Sequence, residues 1–137
     1  MRHIKMYRTP AGTSPLPGFL RSIGDKLAEK VVRQILLAAD TPPALWREPH
    51  IKHFSLEKYS SLYELREKNK VLIRIVFTIH DGDILLLAPF IKHCTRDTMK
   101  ALELSLRMLS DVQIHPENAV DFAMQSHSKN GLADGKV

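Results

Sequence analysis

The middle of the chain alternates between hydrophobic and polar residues in a way that predicts three consecutive antiparallel strands. The predicted strands cover residues 62–67, 71–80 and 84–91, and the third of them is almost wholly apolar. Asp81 and Gly82 separate the second strand from the third. This dipeptide is typical of a two-residue hairpin, because a type I′ turn needs positive φ angles at both central positions.

Every second residue of the middle strand is apolar, which assigns one face of the predicted sheet to the core. That face carries Val71, Ile73, Ile75, Phe77 and Ile79. An odd-numbered loop before this strand places Tyr63 and Leu65 on the same face. The same register leaves Glu64, Arg66 and Arg74 together on the opposite face, whereas an even-numbered loop would bury Arg66. We therefore predict that two arginines share one exposed face of the sheet.

The end of the third strand allows two arrangements. Counting from the hairpin turn puts His93 on the arginine face and Lys92 on the core face. Pro89 cannot donate a hydrogen bond to the sheet, and if it marks a bulge the two positions are exchanged. We expect one of these two side chains beside the arginines, and both alternatives stay open.

Helical periodicity predicts three helices around this sheet. A first helix begins at Pro15, and a second runs from a cap at Asp25 to residue 39. A third helix runs from a cap at Thr95 to about residue 110. Its predicted buried stripe consists of Met99, Leu102, Leu106 and Leu109.

These elements predict an α+β fold with a small antiparallel sheet of about four strands, mixed at the edge. Residues 3–9 would form the edge strand, the N-terminal helices would pack on the sheet, and a C-terminal helix would close the fold. Residues 1–112 are expected to form one domain. Residues 113–137 are expected to be a flexible extension, with a short helix from Pro116 and a frayed tail from Gln125.

The charge of the chain narrows the class of partner. Its 20 Lys and Arg against 15 Asp and Glu give a net charge of +5, which favours a polyanionic partner.

The single cysteine, Cys94, excludes an internal disulfide and is typical of a reducing compartment. The chain begins without an apolar secretory segment, and its longest apolar run, residues 84–91, is far shorter than the ~20 residues of a membrane helix. We therefore expect a soluble, cytoplasmic protein without a membrane partner.

Motifs of common enzyme classes are missing from the sequence. It has no P-loop, no GxGxxG, no GxSxG and no cysteine pair for zinc, so we expect neither a cofactor nor a metal. What remains is a cluster of candidate site cations, placed on the connection before the sheet, on its arginine face and at the end of its third strand. The candidates are Lys52, His53, Arg66, Arg74, Lys92 and His93.

Such a cluster suits RNA cleavage by attack of the ribose 2′-hydroxyl on the adjacent phosphate. The reaction needs a base, an acid and fixed positive charge against the developing phosphorane. Arginine grips phosphate oxygens with two nitrogens, and histidine exchanges protons near neutral pH, as can a lysine among other cations. The alternative is that Arg66 pairs with Glu64 or Glu67 and that the remaining cations form a solvated basic surface.

Three pieces of the sequence carry a resemblance to a known family. They are Tyr63-Glu64-Leu65-Arg66, the strand arginine Arg74, and Phe90-Ile91-Lys92, in an order and spacing that extend over residues 4–110. In these features the chain resembles the RelE/ParE superfamily of type II toxins, and within it the phage-derived, HigB-like branch.

The resemblance implies a small α/β toxin that enters the ribosomal A site and cuts messenger RNA. It also implies neutralisation by an antitoxin with a helix-turn-helix domain. By motif match, Arg66 and Arg74 would hold the scissile phosphate, Lys92 would assist, and Lys52 corresponds to the basic residue before the Glu-Leu-Arg motif. The chain departs from the family at His93, where a second lysine is common. It also lacks a clear match to a C-terminal catalytic tyrosine or histidine.

Three functions are compatible with the sequence. The first is a ribosome-dependent, metal-independent mRNA endoribonuclease that inhibits translation. The second is a ParE-like toxin that binds and poisons DNA gyrase without cutting RNA. The third is a degenerate family member that only binds antitoxin or RNA. The sequence leaves the general base, the codon preference and the oligomeric state open.

Overall fold

The computed structural model describes residues 2–122 of the chain. In this part of the chain six strands form one sheet: β1 (Ile4–Tyr7), β2 (Ile51–His53), β3 (Tyr63–Lys68), β4 (Leu72–His80), β5 (Asp83–Lys92) and β6 (Ala119–Asp121). Three α-helices accompany them: α1 (Pro15–Ser22), α2 (Asp25–Asp40) and α3 (Thr95–Ile114). Single 3-10 turns lie at Pro43–Leu45, Glu57–Tyr59 and Pro116–Asn118. None of the described helices is long and apolar enough to cross a membrane.

The strand order is β2-β3-β4-β5-β1-β6, and only the β1–β5 pairing is parallel. The predicted α+β class and the mixed pairing near one edge are therefore confirmed. The prediction of about four strands missed β2 and β6, which have three residues each, too few for a readable alternation. Because β6 pairs with β1, the predicted edge strand is in fact second from the edge.

The hairpin and the strand register agree with the sequence pattern. Asp81 and Gly82 have φ angles of 52° and 81°, as a turn with two left-handed residues requires. Arg66 lies directly opposite Arg74, so the loop between β3 and β4 has the odd length that the burial argument favoured. Since this register fixes which side chains share a face, it also fixes the membership of the candidate site.

The two faces of the sheet are covered by different helices. One core packs α1 and α2 against the predicted apolar face of β4, including Ile73, Ile75 and Phe77. A second core packs α3 against the opposite face, where Val76, Leu85 and Leu87 are buried. The arginine face of β3 and β4 is therefore the α3 face, and α3 covers only part of it.

Helix α3 differs from its prediction at its start and in its stripe. Cys94, not Thr95, is the N-cap: its backbone N–H donates to the Asp97 carboxylate at 3.1 Å, and its carbonyl oxygen accepts the Asp97 backbone N–H at 3.1 Å. The helix buries Ala101, Leu102, Ser105, Met108, Leu109 and Val112 against the sheet. Met99, predicted to belong to this stripe, is 39% exposed because the first turns of α3 extend past the packed region.

The first residues of the predicted C-terminal extension, 113–122, belong to the fold. The boundary at residue 112 falls inside α3, which ends at Ile114. Residues 116–118 form a 3-10 turn, as the short helix from Pro116 anticipated, but β6 then pairs with β1 and Phe122 is buried in the first core. The predicted frayed tail from Gln125 lies outside the described residues.

Candidate functional site

Four neighbouring strands each place one cation on the α3 face of the sheet. Lys52 on β2 lies opposite Glu64, and Arg66 on β3 lies opposite Arg74 on β4. Lys92 at the end of β5 lies opposite Leu72, which shares the face of Arg74. The alternation of side chains along each strand and the register between strands bring these four residues together.

A β-bulge decides the position of Lys92. Leu86 lies opposite Phe77 and Pro89 lies opposite Ile75, so two residues of β5 stand against Val76 alone. The extra residue, just before Pro89, moves Lys92 from the core face to the arginine face. Of the two arrangements that the sequence allowed, the structure therefore has the one with a bulge.

A buried carboxylate lies between the two arginines. Glu64 is 1% exposed, and its Oε1 accepts a hydrogen bond of 2.9 Å from Arg66 Nε and lies 3.4 Å from Arg74 Nε. Arg66 also donates from Nη1 to Glu48 Oε1 at 3.2 Å. Of the partners considered from the sequence, Arg66 thus takes Glu64, while Glu67 accepts a hydrogen bond from Gln34.

Arg74 is buried, contrary to the prediction that it is exposed. It is 8% exposed, because α3 and the neighbouring strands cover it. This burial lowers the pKa of Arg74, and the charge of Glu64 opposes the shift, while that of Arg66 adds to it. Loss of Arg74 would therefore disturb the fold as well as any bound phosphate, so an Arg74 variant is not a clean test of function.

The cations open onto a cleft of about 370 Å³ between the sheet, the β2–β3 connection (residues 54–62) and the first turns of α3. Lys52, Arg66 and Lys92 line the cleft together with Glu64, whereas Arg74 lies behind them. The other lining residues are Phe54, Ser55, Leu56, Tyr59, Thr95, Thr98, Met99 and Leu102. We call this site the cationic cleft.

The β2–β3 connection is tied to α3 at one wall of the cleft. Tyr59 OH donates a short hydrogen bond to Glu103 Oε2, and Lys58 Nζ lies 2.8 Å from the same oxygen. The hydrogen bond from Lys58, followed by that from Tyr59, lowers the pKa of Glu103. Through the same contacts the Glu103 carboxylate raises the pKa of both Lys58 and Tyr59.

Neither candidate histidine is among the residues that line the cationic cleft. His53 follows Lys52 on β2 and therefore points to the other face of the sheet, where its ring packs 4.8 Å from the ring of Tyr63. Its Nε2 lies 2.6 Å from the carbonyl oxygen of Ser60. His93 is exposed just beyond β5, and its backbone N–H donates to Asp97 Oδ2 at 2.8 Å.

Sequence reasoning placed Glu64 on the correct face but gave it no functional role. Alternation along β3 was enough to put its side chain beside Arg66, whereas its burial depends on α3 and on the β2–β3 connection. Thr98 and Tyr59 were not predicted as site residues, and Met99 was assigned to the core, since all three reach the cleft from elements distant in sequence from β3. Within residues 2–122, no three His, Cys, Asp or Glu side chains are grouped so that they could hold a metal ion.

The mostly antiparallel sheet, the helices on both its faces and the closing helix α3 define a RelE-like α+β protein. Within this class, residues 18–110 match the family model described as phage-derived protein Gp49-like (DUF891). The chain therefore belongs to the Gp49-like family, which is part of the RelE/toxin-like group. No curated protein and no solved structure matches the chain.

Proposed function

We propose that this protein is the toxin of a type II toxin–antitoxin system and a ribosome-dependent mRNA endoribonuclease of the HigB-like kind. It enters the ribosomal A site and cuts messenger RNA by attack of a ribose 2′-hydroxyl on the scissile phosphate, without a metal ion. A helix-turn-helix antitoxin neutralises it. Membership of the Gp49-like family supports the toxin role.

The observation that carries the nuclease proposal is the convergence of Lys52, Arg66 and Lys92 on one cleft, with Arg74 behind them. Fixed positive charge of this kind stabilises a phosphorane without any contribution from a metal. Glu64 and Glu48 engage Nε and Nη1 of Arg66, and among the described residues Nη2 makes no hydrogen bond. We assign to that nitrogen a hydrogen bond to a phosphate oxygen of the substrate.

Proton transfer falls to the groups that lie at or beside the cleft. Lys52 and Lys92 line it and are the candidates for acid and base, whereas His93 lies just beyond β5 and is not among the lining residues. His53 lies on the other face of the sheet and is left out of the proposed chemistry. Replacing His53 should therefore leave the cleavage rate unchanged, whereas replacing Lys92 should lower it.

The experiment that tests the proposal is 5′-end mapping of a reporter mRNA in a translating extract, with and without the protein and with initiation blocked. We expect cuts that are in phase with codons and that disappear when initiation is blocked. Arg66→Ala should lower the cleavage rate about a hundredfold or more, the usual loss when one stabiliser of a transition-state charge is removed.

Arg33→Ala is the matched control, because it removes the same charge from α2, on the other side of the sheet. It should cut like the unmodified protein. Intact message in the presence of the unmodified protein, with a known toxin active in parallel, would contradict the nuclease proposal. Gyrase-dependent DNA breakage would then point to the ParE-like alternative.

A further inference from the structure

We propose that the cationic cleft is a nucleotide subsite that holds one unpaired RNA nucleotide, with its phosphate on the cations and its base between the β2–β3 connection and α3. The inference rests on the proposed RNA substrate and adds a base-binding surface to it. The residues that would touch the base are not among the site candidates that the sequence indicated.

The lining of the cleft combines two kinds of side chain. Lys52, Arg66 and Lys92 supply positive charge from the sheet. The apolar and aromatic lining comes from Phe54, Leu56, Tyr59, Met99 and Leu102, and the Phe54 ring lies under Lys52, with Nζ 5.6 Å from the ring centroid. A nucleotide has the same division, with an anionic phosphate and a flat base whose faces bury well against apolar and aromatic side chains.

The size of the cleft fits one nucleotide. Its volume of about 370 Å³ lies near the lower end of the range for small-ligand pockets, about 300–1,000 Å³. Its walls come from the β2–β3 connection and from α3, and a volume of this size suits one nucleotide better than a base pair. A base that reaches this cleft must therefore be unpaired and turned out from its neighbours.

Two large apolar side chains at the mouth of the cleft are exposed to solvent. Leu56 on the β2–β3 connection is 64% exposed, and Met99 on α3 is 39% exposed. A single exposed apolar residue needs no explanation, but these two line the same cleft from different walls, next to three cations. Thioether sulfur also contacts aromatic rings favourably, so Met99 is well suited to one face of a base.

The wall of the cleft also contains two buried oxygen atoms that lack a hydrogen-bond partner within the described residues. They are Oγ1 of Thr98 and Oε2 of Glu64. A buried polar atom without a partner is costly, and in native proteins it commonly marks a place where water or a ligand binds. The Thr98 hydroxyl can donate or accept a hydrogen bond, so we assign to it the recognition of the edge of the base. Because Oγ1 is buried, the wall of the cleft must move slightly for this contact to form.

Nuclear magnetic resonance of the methionine methyl groups tests the subsite on the full chain. The protein labelled with ¹³C at its five methionines is titrated with each of the four nucleoside 5′-monophosphates and, separately, with inorganic phosphate. Nucleotides should shift the Met99 methyl resonance and leave those of the buried Met6 and Met108 in place. Inorganic phosphate should bind more weakly and leave the Met99 resonance unmoved.

Met99→Ala and Leu104→Ala form a matched pair of variants. Both residues are exposed on α3, at 39% and 40%, but Leu104 lies outside the cationic cleft. Met99→Ala should weaken nucleotide binding, measured by calorimetry, about twofold to tenfold, the range of a sulfur–aromatic contact. Leu104→Ala should bind as the unmodified protein does.

Thr98→Val keeps the shape of the side chain and removes its hydroxyl. We expect it to change the ranking of the four nucleotides and, in end mapping, the ranking of the codons that are cut. Equal binding of nucleotide and phosphate, a Met99 resonance that does not move, or equal losses in Met99→Ala and Leu104→Ala would each overturn the subsite.

The two proposals fail in different ways. Cleavage of message whose codon ranking is unchanged in Thr98→Val would remove the base-binding role and leave the nuclease proposal standing. Nucleotide binding at Met99 without cleavage in the translating extract would remove the nuclease proposal and leave the subsite.

Discussion

At the scale of single residues, Glu64 organises the site. Its buried carboxylate lies within 2.9 Å of Arg66 Nε and 3.4 Å of Arg74 Nε, and thereby offsets the repulsion between two guanidinium groups on adjacent strands. Because it accepts a hydrogen bond from Arg66 Nε and forms an ion pair with Arg74, it orients both guanidinium groups without occupying all of their donors. We regard Glu64 as a positioning residue for the two arginines that we propose to bind phosphate.

Glu64→Gln tests this role, since it keeps the shape of the side chain and removes its charge. A buried ion pair that loses one partner costs ~3–5 kcal/mol, and the cost should lie at the low end here because Arg66 keeps Glu48. Urea denaturation should show the lower free energy of unfolding, and end mapping should show slower cleavage. Glu67→Gln on the same strand is the control, and equal stability and activity in the two variants would contradict the role of Glu64.

At the scale of elements, the cleft depends on the attachment of the β2–β3 connection to α3. Tyr59 and Lys58 both contact the Glu103 carboxylate, and these contacts lower the pKa of Glu103. A carboxyl group whose pKa is lower in the folded state stabilises the fold above its unfolded pKa, ~4.3. That stabilisation is lost as the pH falls through the folded-state pKa.

Glu103→Gln should therefore be less stable than the unmodified protein at pH 7, and the difference should vanish in acid, once Glu103 is protonated in the folded state. Urea denaturation at a series of pH values measures the difference. Glu29→Gln, on the exposed side of α2, serves as the control for the loss of one carboxylate. A difference between the Glu103 variant and the unmodified protein that stays constant down to pH 2 would contradict the proposed tie.

At the scale of the whole molecule, the segment after α3 completes the fold. Tyr7 OH donates to Asp111 Oδ2 at 2.7 Å, and Asn118 Nδ2 donates to the same oxygen at 3.0 Å, so β1, α3 and the turn before β6 are joined. Burial and then the hydrogen bond and charge of Asp111 raise the pKa of Tyr7 to about 12. The segment 116–122 also covers the outer edge of β1.

A chain that ends at residue 118 should be clearly less stable than one that ends at residue 124. The shorter chain lacks β6 and the buried Phe122, and removal of a buried phenylalanine side chain costs ~3–5 kcal/mol. It also exposes β1 as a sheet edge, which promotes aggregation. Thermal unfolding and size-exclusion chromatography of the two chains measure both effects, and equal stability would show that the fold ends before β6.

Much of the fold and part of the site could be predicted from the sequence because they rest on local periodicity. The alternation in β4, the Asp81-Gly82 turn and the odd loop before β4 are short-range signals, and they place Arg66 opposite Arg74. The same signals did not decide on which face of the sheet Lys92 lies. A bulge shifts the register by one residue, and its only sign in the sequence is Pro89. The alternation of β2 was not read, so His53 was grouped with Lys52, although the two point to opposite faces.

The sequence by itself determined the antiparallel core of the sheet, its apolar face, and the set of cations from which the site is built. Tertiary structure decided which of them meet, because burial depends on what covers a face and not on the strand alone. It buried Arg74 and Glu64 under α3, left Met99 at the mouth of a cleft, and used residues 119–122 to cover β1. These outcomes depend on contacts between residues far apart in the chain, and a periodicity of two or of 3.6 residues contains no information about them.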